Sequence, residues 1–124
     1  MAWVEAELSN RIIGCGIEVH RKLGPGFLEK IYEVALTVEL AKVGIDFEQQ
    51  KTIPLIYADR LIGEHRLDQF VSRRVVVELK ACKDIEDIHL ATARSYLKAT
   101  GASLALLLNF AKPTLEIRWV VLGR

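Results

Sequence analysis

The stretch Val75-Val76-Val77-Glu78-Leu79-Lys80-Ala81 constrains the fold of this chain more than any other segment. Three β-branched residues lead into Glu78, as expected toward the end of a buried strand. Buried strands carry opposite charges only where those charges pair, bind a metal or do chemistry. Side chains alternate faces along a strand, so Glu78 and Lys80 project to the same side. Ten residues upstream, Asp68 sits in a second strand-like segment, Leu67-Asp68-Gln69-Phe70-Val71. Two carboxylates and an ammonium gathered at one sheet edge are the usual parts of a metal-dependent phosphodiesterase site. A Glu78–Lys80 or Asp68–Lys80 ion pair at a strand end is the competing reading, and on spacing alone it is the commoner arrangement.

The hairpin between the two segments decides whether the acids meet. A loop of Ser72-Arg73-Arg74 sets Val71 opposite Val75 and Asp68 opposite Glu78, so that Asp68, Glu78 and Lys80 converge. A loop one residue shorter sets Asp68 opposite Val77 and sends the carboxylates to opposite faces. The sequence permits both. Carboxylates a few Å apart repel, and a divalent cation resolves that conflict. Hard oxygen ligands suit Mg²⁺ or Mn²⁺, with positions left for water and phosphate. Such an ion lowers the pKa of bound water and neutralises charge on a phosphate. Lys80 would then orient the attacking water or stabilise the transition state.

With 124 residues, 51% of them hydrophobic, the chain is expected to form one globular domain over residues 1–124. Its formal net charge of +1 supplies no global basic field, so an anionic partner would need a local patch. Cys15 and Cys82 give no disulfide framework, and no Cys or His spacing suits zinc. Met1-Ala2-Trp3-Val4-Glu5 has no basic region followed by an apolar run, so no signal peptide is expected. The longest apolar run, Leu104 to Leu108, is too short to span a membrane. A soluble cytoplasmic protein without membrane contact is the expectation.

Helical periodicity covers roughly residues 4–23, with Leu8, Ile12, Gly16, Val19 and Leu23 on one face. Gly24-Pro25-Gly26 ends it. A second helix is predicted over roughly 27–43, burying Phe27, Ile31, Ala35, Val38 and Ala41, with Gly44 closing it. Strand periodicity follows over roughly 47–58, 61–71 and 75–81. Pro54 removes a ladder donor, which places the first of these strands at an edge or a bulge. A helix over roughly 84–99, with Asp84 or Asp87 as N-cap, precedes strands over roughly 103–110 and 115–122. The order α-α-β-β-β-α-β-β predicts an α/β fold, a mixed central sheet of four to five strands flanked by helices.

Gly26-Phe27-Leu28-Glu29-Lys30-Ile31-Tyr32 has the spacing G-x-x-E-x-x-Y. Ile17 to Arg21, Ile53-Pro54-Leu55, Arg66-Leu67-Asp68, Val77 to Ala81, Tyr96-Leu97-Lys98, Thr100-Gly101 and Leu108-Asn109-Phe110 follow in order around it. In this the chain resembles the GxxExxY protein family of the PD-(D/E)XK nuclease superfamily, from Ile12 to Val121. The resemblance implies a restriction-endonuclease-like core and Mg²⁺- or Mn²⁺-dependent hydrolysis of phosphodiester bonds, in DNA ahead of RNA. Asp68 would match the Asp of the motif, and Glu78 and Lys80 its E-x-K. Glu29 would match the helix carboxylate that assists at the metal, and the Leu79 carbonyl would complete the ligand set. Relatives often carry Gln four residues before the helix Tyr, whereas this chain has Thr92 before Tyr96. Thr offers one hydroxyl in place of an amide. That difference favours an alternative reading, a non-catalytic nucleic-acid or protein-binding module that retains the fold. Ala111 stands where relatives often have Gly, and Gln69 replaces a usual apolar residue.

Arg66, Arg73, Arg74, Lys83, Arg94 and Lys98 are candidates for a basic rim that meets phosphates, with Thr92 and Tyr96 as further substrate contacts. His20 could support the site as a proton shuttle, against the plainer role of packing at the helix end. His65 and His89 are expected at the surface, and Tyr32 and Tyr96 at the core rim with bonded hydroxyls. Cutting a duplex with so small a domain suits a homodimer.

Overall fold

A computed structural model describes residues 5–122. The expected helix start at residue 4 lies outside them. The elements are α1 (Ala6–Leu23), α2 (Glu29–Lys42), β1 (Phe47–Tyr57), β2 (Arg60–Val71), β3 (Val75–Lys80), α3 (Asp87–Thr100), β4 (Leu104–Asn109) and β5 (Glu116–Val120). The strands form one mixed sheet in the order β1-β2-β3-β4-β5. Only β3 and β4 run parallel, joined by α3 as crossover. Three helices and a mixed five-stranded sheet in this order are consistent with a restriction-endonuclease-like fold.

The alternation of apolar residues in the inner strands feeds two cores, one on each sheet face. Val75, Val77, Leu79, Leu106 and Leu108 pack with Ile12, Val19, Leu36 and Leu40 of α1 and α2. Val76, Ala105, Leu107 and Phe70 pack with Ala93 and Leu97 of α3. Strands buried on both faces read as continuous apolar runs, which is why β3 and β4 are so apolar. At Gly16 a Cβ would stand 3.2 Å from both Leu108 and Leu115 side chains, so glycine lets α1 lie close on the sheet. Pro54 behaves as expected: β1 is an edge strand, and its register with β2 shifts between Leu55 and Ile56.

Two local expectations are corrected. The buried face of α2 is Tyr32, Glu33, Leu36 and Leu40, whereas Phe27, Ile31, Val38 and Ala41 are exposed and Ala35 is partly buried. Apolar residues line both sides of this helix, so periodicity cannot choose between them. The choice falls to Tyr32, whose hydroxyl donates to the Gly24 carbonyl at 2.6 Å and accepts the Phe27 N–H at 3.1 Å. Its ring stacks on Phe110 at 4.4 Å. The N-cap of α3 is Glu86, not Asp84 or Asp87. His89 reaches back to accept the Glu86 N–H through Nδ1 at 2.9 Å, which gives this histidine a capping role.

Candidate functional site

The β2–β3 turn spans three residues, and Val71 pairs with Val75, Phe70 with Val76 and Gln69 with Val77. Extending that register brings Asp68 to Glu78, where the backbone ladder stops and side chains take over. The Asp68 N–H donates to Glu78 Oε2 at 2.9 Å, and the Leu79 N–H donates to Asp68 Oδ2 at 2.9 Å. Each acid thus satisfies a backbone donor of the opposing strand, and Asp68 Oδ1 and Glu78 Oε1 carry no protein hydrogen bond among the described residues. Leu67 and Phe70, an odd number of positions apart, lie in the same core, so strict alternation breaks around Asp68.

The acid pair is buried at a cost. Glu78 is only 6% exposed. Burial first, and the Asp68 charge second, push its carboxyl up to about 8. Burial likewise raises Asp68, opposed by the Leu79 N–H and assisted by the charge of Glu33. Lys80 lowers both acids through its charge. Among the described residues it nevertheless makes no ion pair within 4.0 Å, so the structural ion pair weighed from the sequence is not formed.

Glu29, at the first turn of α2, accepts the Ala81 N–H through Oε2 at 3.2 Å and so reaches the end of β3. Tyr32 clasps the preceding loop, which fixes where α2 begins and hence where Glu29 sits. On the far side, Asn109 binds the chain leaving Lys80. Its amide donates to the Cys82 carbonyl at 2.8 Å and its oxygen accepts the Cys82 N–H at 3.1 Å. Tyr96 of α3 comes close enough for the charges of Glu78 and Asp68 to add to burial in raising its hydroxyl to about 12. Its ring meets His65 edge-on at 4.6 Å, and Ser95 Oγ lies 3.0 Å from His65 Nε2. His65 is therefore half-buried against α3 instead of free at the surface.

Other expected residues are not brought together. Arg73 and Arg74 occupy the turn before β3, five and four residues from Glu78 and so roughly 13–17 Å along the chain from it. Arg73 pairs with Glu48 and Arg74 with Glu5. Arg66, on β2 beside Asp68, is exposed and has no ion pair among the described residues. Thr92 is half-buried, and its carbonyl accepts the Ser95 hydroxyl at 2.6 Å. His20 is buried, bonded to the Lys112 carbonyl at 2.8 Å and stacked near Phe110, the packing role of the two considered. Sequence reasoning missed Glu33, although its place one turn after Glu29 put it on the same helix face. Gln49 and Gln50, adjacent amides in a predicted strand, were the second signal.

The sequence profile of the PD-(D/E)XK nuclease superfamily matches residues 6–120. The chain belongs to this superfamily. No curated protein and no solved structure matches it. Membership suggests a nuclease, and members of the PD-(D/E)XK superfamily generally use divalent metals. The donor set here fits that chemistry. Among the described residues no three His, Cys, Asp or Glu side chains stand close enough together to hold a metal ion by themselves. A Mg²⁺-type ion, however, is held by one or two carboxylates with waters and substrate oxygens completing the shell. Asp68 and Glu78, each with one unengaged oxygen and a charge conflict between them, meet that requirement. Among the described residues no helix is long and apolar enough to cross a membrane.

Proposed function

We propose that this protein is a GxxExxY-type PD-(D/E)XK nuclease that hydrolyses phosphodiester bonds, in DNA ahead of RNA, with Mg²⁺ or Mn²⁺. Asp68 and Glu78 hold the ion together with the Leu79 carbonyl, and Glu29 supports them from α2. When bound, the ion lowers the pKa of a water molecule and neutralises charge on the scissile phosphate. Lys80 orients that water or stabilises the transition state. Arg66, Thr92 and Tyr96 face the substrate. The single observation that carries this reading is the buried acid pair beside a lysine that pairs with neither acid, because a structural role would have closed that ion pair.

Residues 1–124 act as one nuclease domain in this reading, in the cytoplasm, where free Cys15 and Cys82 are at home. A homodimer that cuts both strands belongs to it as well, supported by the exposed apolar residues Ile31, Val34 and Val38 of α2. Thr92 favours the second reading, a binding module that keeps the fold without turnover. Cleavage of mixed DNA and RNA substrates with Mn²⁺ separates the two. Wild type is expected to cut, and Lys80→Ala to lose roughly 10²-fold or more, as for removal of a transition-state donor. Equal activity in the two proteins would sink the assignment of Lys80.

A further inference from the structure

Glu33 is buried on the inner face of α2, yet it is held by amides instead of a buried cation. Gln49 Nε2 donates to its Oε2 at 2.6 Å, and Gln50 Nε2 lies 2.9 and 3.0 Å from Oε1 and Oε2. Among the described residues its one ionic partner is Lys30, at 3.5 Å and largely exposed. Neighbouring residues of a regular strand point to opposite faces. Gln49 and Gln50 can share one carboxylate only if β1 is broken between them. Gln50 supplies the break with a φ of 54°, a left-handed conformation costly for any residue but glycine.

The same helix residue grips the second strand. Gln69, fully buried on β2, donates through Nε2 to the Glu33 carbonyl at 2.9 Å. Glu33 therefore ties β1 and β2 together at the level where Gln49 pairs with Gln69. The next regular pair is Lys51 with Leu67, so Gln50 and Asp68 drop out of the ladder between them. Released from that pairing, Asp68 spans the gap to β3 and accepts the Leu79 N–H. Strain of this kind persists only where surrounding contacts enforce it, as the amide contacts to Glu33 do here.

We infer that Glu33 is a positioning residue: through Gln49, Gln50 and Gln69 it holds the break in the β1–β2 ladder that aims Asp68 at β3. The inference rests on the reading of Asp68 as a site residue. Hydrogen exchange of the Leu79 amide in cation-free protein reads the positioning directly, since Asp68 accepts that N–H. Glu33→Gln preserves volume, and Gln50→Gly keeps the left-handed backbone while removing the amide. Each is expected to speed Leu79 exchange about tenfold or more while the core amides of Val76 and Leu106 keep wild-type rates. Mn²⁺ affinity in the same variants is expected to fall roughly 10–100-fold, the range for groups that orient metal-ligating side chains. Wild-type Leu79 exchange in the folded variants overturns the inference, and Gln50→Gly alone decides it should Glu33→Gln fail to fold. Loss of Mn²⁺ binding by the wild type itself would instead sink the proposed function, with the exchange rates still deciding on Glu33.

Discussion

At the residue scale, Glu78 concentrates the energetics of the site. Its carboxyl, pushed up to about 8 from an ordinary 4.5, keeps its proton in the folded, cation-free protein at a pH where the unfolded chain has lost it. Between those two values the folded state binds the extra proton, so stability falls as pH rises from about 4.5 through about 8. Urea unfolding in the presence of a chelator is expected to give a lower midpoint at pH 8 than at pH 5. Glu78→Gln, neutral at every pH, should flatten that decline, and an unchanged slope would contradict the burial argument. Asp68, raised in the same direction, leaves a smaller residual slope. Glu78, Lys80 and Asp68 were legible as residues because their charges sit in apolar, β-branched surroundings. Glu33 was harder to single out: its place one turn after Glu29 gave its face, but a helix apolar on both sides left open which face is buried.

At the scale of elements, loops were harder to read than strands. The β2–β3 register follows from a turn of three residues, one of two that the sequence allowed, and it brings Asp68 to Glu78. The order of elements along the chain and the crossover helix were also legible, since periodicity switches clearly from helix to strand at Phe47 and back before α3. What periodicity could not show is how loops are tied. Asn109 does this for the segment after Lys80: it bonds Cys82 through both backbone groups, receives the Ala111 N–H at 3.2 Å and donates to Glu116 at 3.0 Å. Asn109→Ala would strand these partners in a fully buried position. At about 1 kcal/mol net for each of these four hydrogen bonds, it is expected to cost about 4 kcal/mol in urea unfolding. A cost below about 0.5 kcal/mol, typical of a surface change, would show that water replaces the amide.

At the scale of the whole molecule, charge is distributed less simply than composition suggests. Of the cations proposed from the sequence as one rim, Arg66, Arg73 and Arg74 fall in different settings. Arg73 and Arg74 are tied to acids at the turn end of β3, whereas Arg66, on β2 next to Asp68, has no ion pair among the described residues. Sequence proximity to Glu78 misled because a strand carries its two ends apart. Binding of duplex DNA, measured against salt concentration, should separate them. Arg66→Ala is expected to weaken binding and reduce the salt slope by about 1, while Arg73→Ala and Arg74→Ala leave the slope near wild type. A reduced slope for Arg73→Ala or Arg74→Ala would place the nucleic-acid path over the turn instead. The central claim is that Asp68 and Glu78 together hold a divalent cation in this PD-(D/E)XK protein. Calorimetric titration with Mn²⁺ tests it most directly: wild type is predicted to bind, and Asp68→Ala and Glu78→Ala to lose that binding. Equal binding by all three proteins would contradict it.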